Sequence, residues 1–138
     1  MTGLTMESVI LADRHHGLTE GVRDLLKSMF ATVLMVADEG SLLKGIERIR
    51  PNVAVVDLSL FRSGGTQWLA RIKAACPQML LIVLSVYDEE TVKNAVLTAG
   101  ADGFVIKRNI ATELLSSIES ALHHEHLRNE GPKFQPKN

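Results

Sequence analysis

Four polar side chains of this 138-residue sequence each directly follow an apolar run: Asp13, Asp57, Ser85 and Lys107. Two carboxylates can hold a hard divalent cation such as Mg²⁺ through oxygen. A hydroxyl can hydrogen-bond a bound phosphoryl group, and a lysine can balance the charge of that group. Asp57 could then act as a nucleophile and form an acyl phosphate. These residue types therefore predict phosphoryl chemistry centred on Asp57.

The four groups can meet only if the runs that precede them are neighbouring parallel strands. The run VAVV at residues 53–56 contains three β-branched residues and no polar one, which is typical of a strand buried on both faces of a sheet. A carboxylate that follows such a strand lies at the edge where α/β sheets bind ligands. Four further strands are predicted at residues 8–12, 32–37, 79–84 and 103–106.

Amphipathic stripes between the strands predict the helices. Pro51 stops the second helix, Asp88 is the predicted N-cap of the fourth helix, and Gly100 terminates that helix. The last helix is predicted to continue to about His126. Apolar residues recur at helical spacing within residues 18–29, 42–49, 68–72, 92–99 and 110–122.

Strands that alternate with helices in this way predict a parallel sheet with right-handed crossovers. The predicted fold is α/β, a flavodoxin-like three-layer sandwich with five strands in the order 2-1-3-4-5. Residues 1–126 form the predicted domain. Residues 127–138 are polar and contain Pro132 and Pro136, so they are predicted to be a linker or a disordered tail.

Composition limits the classes of function. With 46% hydrophobic residues, a chain of this length can form a single core. The formal net charge of -1 gives no overall field toward nucleic acid or an anionic membrane. Cys76 is the only cysteine, which excludes an intrachain disulfide, and it is expected to be a small buried hydrophobe. No basic leader and no apolar run near ~20 residues are present, which predicts a soluble, cytoplasmic protein without membrane contact.

Three other features favour structural roles. The stretch SGG at residues 63–65 matches no nucleotide-binding glycine pattern and predicts a loop. His123 and His126 share one face of the last helix, and a solvated helix end accounts for them without a metal. Trp68 is expected in the core.

The motifs VILADR, VAVVDLSL, VLSVYD and TAGADGFVIKRN resemble those of the receiver domains of bacterial response regulators, over about residues 8–124. The resemblance implies that Asp57 is the phosphorylated aspartate. Ser85 would be the switch hydroxyl that engages the phosphoryl group, and Lys107 the lysine that pairs with it. Phe104 would be the aromatic residue whose burial reports the active state.

The resemblance also implies cofactor and partners. Mg²⁺ would be held by Asp13 and Asp57, and the phosphoryl group would come from a sensor histidine kinase. The fourth helix, fifth strand and fifth helix would form a contact face that switches, and a homodimer is compatible with this reading. The segments LTEGVRDLL and GADG resemble members with a LuxR-type helix-turn-helix domain, so DNA would be contacted only through a C-terminal domain outside these 138 residues, to control transcription. The domain would not be an enzyme beyond its own phosphorylation and dephosphorylation.

Two positions depart from the family pattern. Arg14 stands where the family usually has a second acid, which weakens the expected Mg²⁺ site, and Phe61 stands where proline is usual. The main alternative is therefore a pseudo-receiver that signals without phosphate, in which Arg14 occupies the metal site and pairs with Asp13 or Asp57. A phosphohydrolase of the haloacid dehalogenase type is less favoured, because it needs a general acid where Ser59 stands.

Overall fold

A computed structural model of the chain describes residues 6–61 and 65–130. Strands and helices alternate along these residues, and two single turns of 3₁₀ helix follow β3 and β5. The elements are β1 (Met6–Ala12), α1 (His16–Lys27), β2 (Phe30–Val36), α2 (Glu39–Ile49), β3 (Val53–Asp57), α3 (Gly65–Ala75), β4 (Leu80–Ser85), α4 (Glu90–Thr98), β5 (Gly103–Ile106) and α5 (Ile110–Glu130).

The five strands form one parallel sheet in the order β2-β1-β3-β4-β5. This is the flavodoxin-like order, so the predicted fold is confirmed. The strand order changes direction between β1 and β3, which leaves a crevice at the carboxyl ends of these two strands. Asp13 and Asp57 stand at this crevice.

Helices cover both faces of the sheet, and β3 contributes alternate residues to each face. Val53 and Val55 pack with residues of α1 and α5, while Ala54 and Val56 pack with residues of α2, α3 and α4. All four side chains are fully buried. Burial on both faces explains why β3 has an unbroken apolar sequence.

Several boundaries differ from the sequence predictions. β1 begins at Met6, two residues early, because the Met6 amide donates to the Met29 carbonyl and pairs with the start of β2. Asp88 is not the N-cap of α4: Glu89 takes that position, and the Asp88 carboxylate instead accepts from Arg108 at 2.7 Å. Gly100 does follow the end of α4, with a φ of +117° that favours glycine.

The last helix is longer than predicted. α5 continues to Glu130 rather than ending near His126, because the sequence LRNE contains no helix breaker before Gly131 and Pro132. Residues 131–138 of the predicted tail, and residues 63 and 64 of the predicted loop, lie outside the described residues. Within the described part of the chain, no helix is both long and apolar enough to cross a membrane.

Two predicted core residues are only half-buried. Cys76 packs at the edge of the core cluster on the α2–α3 face, and Trp68 packs against the same cluster. The Trp68 ring stacks on Phe61 with centroids 5.5 Å apart, and its exposed side lines a surface cleft. Phe61 therefore contributes to the core at the position where the family usually has proline.

Gly103 lets α5 pack closely against the start of β5. A Cβ atom at this position would lie 2.6 Å from the Ser117 hydroxyl and 2.8 Å from the Ile82 side chain, closer than such atoms approach. The glycine therefore fixes the distance between α5 and the strand that leads to Lys107.

We expect Gly103→Ala to lower the free energy of unfolding by about 1–3 kcal/mol through overpacking. The matched control is Gly21→Ala, because Gly21 is exposed within α1 and nothing from the rest of the fold lies within 4 Å of the position that a Cβ atom would take. That control should raise stability by up to about 1 kcal/mol through helix propensity. Urea unfolding followed by circular dichroism measures both. A Gly103→Ala variant as stable as wild type would contradict the close packing.

Candidate functional site

Strand register brings the predicted site residues to one level at the edge of the sheet. Ala12 pairs with Val56, so Asp13 lies level with Asp57 on the neighbouring strand. Ser85 ends β4 beside Ile106, and Lys107 comes directly after β5. The predicted convergence of the strand ends is therefore seen in the structure.

Lys107 lies at the centre of the site. Its ammonium nitrogen is 2.9 Å from Asp13 Oδ2, 3.0 Å from Asp57 Oδ2 and 2.9 Å from His15 Nδ1. The Lys107 side chain is 7% exposed and the two carboxylates 2% or less. An ammonium group has three N–H donors and no acceptor, so these three partners satisfy it completely. Removing one partner from such a buried charge arrangement typically costs about 3–5 kcal/mol.

His15 belongs to the site although the sequence assigned it no role. Its backbone N–H donates to Asp13 Oδ1 at 2.9 Å, in an Asx turn that continues from the end of β1. Its Nδ1 atom is 3.0 Å from Asp13 Oδ1 and 3.6 Å from Asp57 Oδ2. The sequence feature that could have predicted this position is that His15 comes two residues after an aspartate at a strand end. An Asx turn there brings the following residues back over the carboxylate.

His15 Nδ1 lies between a donor and an acceptor. It is 2.9 Å from Lys107 Nζ and 3.0 Å from Asp13 Oδ1. The ring nitrogen is therefore within hydrogen-bond distance of both the buried ammonium group and an acidic side chain.

Asp13 is held in its ionised form. Burial disfavours the charge, but the hydrogen bonds from Lys107 and from the His15 backbone outweigh burial and hold the pKa of Asp13 below its ordinary value of 3.8. The same ammonium group that keeps Asp13 ionised also contacts Asp57, so the two carboxylates share one compensating charge.

Asp57 is oriented from its other side by Ser59. The Ser59 backbone N–H donates to Asp57 Oδ1 at 3.1 Å, and the Ser59 hydroxyl donates to Asp57 Oδ2 at 2.9 Å. Both contacts come from the short 3₁₀ turn that follows β3. Ser59 thus fixes the orientation of the Asp57 carboxylate. The sequence did not suggest this role, because Ser59 was considered there only as a residue that cannot serve as a general acid.

Arg14 contacts the backbone beside Asp57 rather than either carboxylate. Its side chain is exposed, and its Nη2 atom donates to the Ser59 carbonyl at 3.3 Å. Over the described residues it forms no ion pair with Asp13 or Asp57, so the pairing expected by the pseudo-receiver alternative is not seen, and that alternative stays a prediction. Lys107 provides the cation that this alternative expected from Arg14.

Ser85 is buried beside the site, and its hydroxyl bonds to Tyr87 rather than to Asp57. Its hydroxyl accepts from the Tyr87 N–H at 2.9 Å and donates to the Tyr87 carbonyl at 3.1 Å, within a local turn after β4. Phe104 is half-buried and packs on the core cluster that includes Val83 and Val96. The predicted switch roles of Ser85 and Phe104 remain predictions.

A cleft of about 460 Å³ gives access to the site. It brings solvent to the edge of the otherwise buried Asp57 carboxylate. Its lining residues are Arg14, Asp57, Leu58, Ser59, Phe61, Ser85, Val86 and Tyr87.

The donor set fits a divalent cation in part. Asp13 and Asp57 offer the carboxylate oxygens that Mg²⁺ prefers. His15 adds a nitrogen donor, and the three ligand atoms lie within 4.8 Å of one another. This is the one group of His, Cys, Asp or Glu with metal-binding spacing in the described chain. His123 and His124 are exposed on α5, and the side chain of His126 lies outside the described residues.

A parallel α/β sheet with an acidic pair, a buried lysine and a serine at its carboxyl edge defines the class of receiver-like signalling domains. The family model described as response regulator receiver domain matches residues 9–119. The chain belongs to this family.

Similar proteins agree with that membership. The transcriptional regulatory protein DegU of Brevibacillus brevis is 25% identical over 113 residues, which cover 80% of this chain and 48% of DegU. The DNA-binding transcriptional activator EvgA of Escherichia coli K12 is 24% identical over 115 residues, covering 83% and 56%. A two-component response regulator of the LuxR family from Aurantimonas sp. SI85-9A1 superposes with a TM-score of 0.78 at 25% identity, covering 87% of each chain. The chain spans about half the length of the curated relatives it matches.

The lowered pKa of Asp13 predicts how stability changes with pH. A carboxyl group whose pKa is lower in the folded state stabilises the fold above its unfolded pKa, near 3.8, and this contribution is lost as the pH falls through the folded pKa. We expect the difference in unfolding free energy between wild type and Asp13→Asn to be constant above about pH 5 and to shift in favour of the variant below about pH 4. Urea unfolding at a series of pH values measures this difference. A difference that stays constant down to about pH 3 would show that Asp13 does not have a lowered pKa in the folded state.

Proposed function

We propose that this receiver domain accepts a phosphoryl group on Asp57 from a sensor histidine kinase. The observation that carries the proposal is the contact of one buried ammonium group, Lys107, with both Asp13 and Asp57, of which Asp57 lines an open cleft. Family membership supports it, because response regulators act with histidine kinases.

The residues can divide the transfer step between them. An Asp57 carboxylate oxygen attacks phosphorus, forming the O–P bond of an acyl phosphate while the P–N bond to the kinase histidine breaks. Lys107 Nζ lies 3.0 Å from Asp57 Oδ2, so it can bond to the phosphoryl oxygens as negative charge develops on them. Ser59 keeps the Asp57 carboxylate oriented. Asp13 and Asp57 would hold Mg²⁺, which when bound neutralises phosphoryl charge.

The proposed switch begins at Ser85. Its hydroxyl must leave the turn with Tyr87 before it can bond to a phosphoryl group, and that movement alters the β4–α4 loop. The ion pair of Asp88 with Arg108 ties this loop to the residue that follows Lys107. Ser85 movement would thereby reach the contact face formed by α4, β5 and α5, including Phe104.

The wider role follows from the relatives. DegU and EvgA are named as a transcriptional regulatory protein and a DNA-binding transcriptional activator, and each is about twice as long as the matched region. We infer transcription control through an effector domain as the output, with DNA contacted by that domain and the receiver face available for a second copy of the chain. A cytoplasmic location fits this role.

Phosphorylation of Asp57 can be tested by intact-mass analysis after incubation with acetyl phosphate and Mg²⁺. We expect wild type to gain the mass of one phosphoryl group. Asp57→Asn should gain none, because a side-chain amide does not act as a nucleophile toward phosphorus. Asp38→Asn is the matched control, since Asp38 caps α2 away from Asp57 and should leave the mass increment intact. An increment that persists in Asp57→Asn would place the acceptor elsewhere. No increment in wild type would favour a phosphate-independent interaction module.

Arg14 should weaken Mg²⁺ binding relative to an acidic residue. Its guanidinium group donates to the Ser59 carbonyl beside Asp57 and brings positive charge to the mouth of the site. We therefore expect Arg14→Asp to bind Mg²⁺ several-fold more tightly in calorimetry and to be phosphorylated faster, with Arg14→Ser intermediate. Equal or weaker Mg²⁺ affinity in Arg14→Asp would show that the arginine does not oppose the metal.

A further inference from the structure

His15 changes the chemical character of the acidic site, because it adds an imidazole nitrogen to two carboxylates. Its Nδ1 atom lies 3.0 Å from Asp13 Oδ1 and 3.6 Å from Asp57 Oδ2. The backbone hydrogen bond from His15 to Asp13 holds the ring close to the site even though the side chain is 58% exposed. The imidazole is thus placed beside both carboxylates before any ligand binds.

Lys107 marks the point at which the three ligands converge. Its nitrogen atom contacts Asp13, Asp57 and His15 at 2.9–3.0 Å. A transition-metal ion takes the same kinds of ligand atom at about 2.0–2.2 Å. The three ligands would need to approach the centre by less than about 1 Å each once the flexible lysine side chain has left it.

The donor set favours a different cation from Mg²⁺. Mg²⁺ takes oxygen ligands in near-octahedral geometry and retains water, whereas imidazole is a ligand of Zn²⁺ and its first-row neighbours. Two carboxylates, one imidazole and one open position make a three-ligand set of the type that Zn²⁺ accepts. Arg14 supplies no oxygen at the position after Asp13, so nothing there restores the preference for Mg²⁺.

We propose that Asp13, His15 and Asp57 bind one borderline divalent transition-metal cation, of which Zn²⁺ is the probe, in preference to Mg²⁺. His15 Nδ1 is the third ligand, and Lys107 is displaced when the cation binds. The inference rests on the proposed function only in taking this pocket as the cation site. The readout of the metal proposal is metal affinity. The metal proposal can therefore fail while Asp57 still accepts a phosphoryl group with Mg²⁺, and it can hold even if Asp57 accepts no phosphoryl group.

The test is calorimetric titration of the full chain with Zn²⁺ and, separately, with Mg²⁺. We expect wild type to bind Zn²⁺ at least tenfold more tightly than Mg²⁺. His15→Ala should weaken Zn²⁺ binding by about tenfold or more through loss of one ligand, and should change Mg²⁺ affinity by less than about twofold. His123→Ala is the matched control, because it removes an exposed imidazole from α5 and should leave the affinity of this site unchanged.

A second variant tests the displacement of the lysine. Lys107→Met removes the competing ammonium group and should tighten Zn²⁺ binding, with circular dichroism confirming that each variant is folded. Zn²⁺ affinity within twofold of wild type in His15→Ala would overturn the proposal. So would tighter binding of Mg²⁺ than of Zn²⁺, or a loss of Zn²⁺ binding in His123→Ala equal to that in His15→Ala.

Discussion

The site depends on one buried ammonium group that contacts three side chains. Lys107 follows the short edge strand β5, yet its nitrogen atom reaches Asp13 and Asp57, which end the two strands at the switch point of the sheet. Two carboxylates this close would repel each other without that charge. The ammonium group therefore compensates the charge of the acidic pair, and Asp57 lines the cleft.

The fold serves this contact by fixing the strand ends. β3 is packed on both faces, so Asp57 ends a fully buried strand, and Gly103 sets the approach of α5 to the strand that leads to Lys107. One moving group of the proposed mechanism is bonded only locally. Ser85 is held by its own turn with Tyr87, so breaking that turn disturbs none of the sheet hydrogen bonds. Asp57, the proposed acceptor, and Ser85, whose hydroxyl can leave its turn, thus lie at the ends of neighbouring strands.

Sequence reasoning predicted the parts of this site that periodicity controls. Apolar runs located all five strands, and their ends located Asp13, Asp57, Ser85 and Lys107, because the carboxyl ends of parallel strands share one edge. It could not predict where flexible or loop-borne groups point. Arg14 donates to the Ser59 carbonyl instead of pairing with a carboxylate, and His15 Nδ1 lies beside Asp13 and Lys107 although its side chain is 58% exposed. Asp88 was misplaced for a similar reason: its partner Arg108 is 20 residues away in sequence.

The most direct test of the account is a crystal structure of the protein treated with Mg²⁺ and beryllium trifluoride, a mimic of the phosphoryl group. The account predicts beryllium bonded to an Asp57 oxygen, with Lys107 Nζ moved from His15 to a fluoride and the Ser85 hydroxyl turned from Tyr87 toward the adduct. Beryllium on another residue, or an adduct at Asp57 with Lys107 still bound to Asp13 and His15 and Ser85 still in its turn, would contradict it.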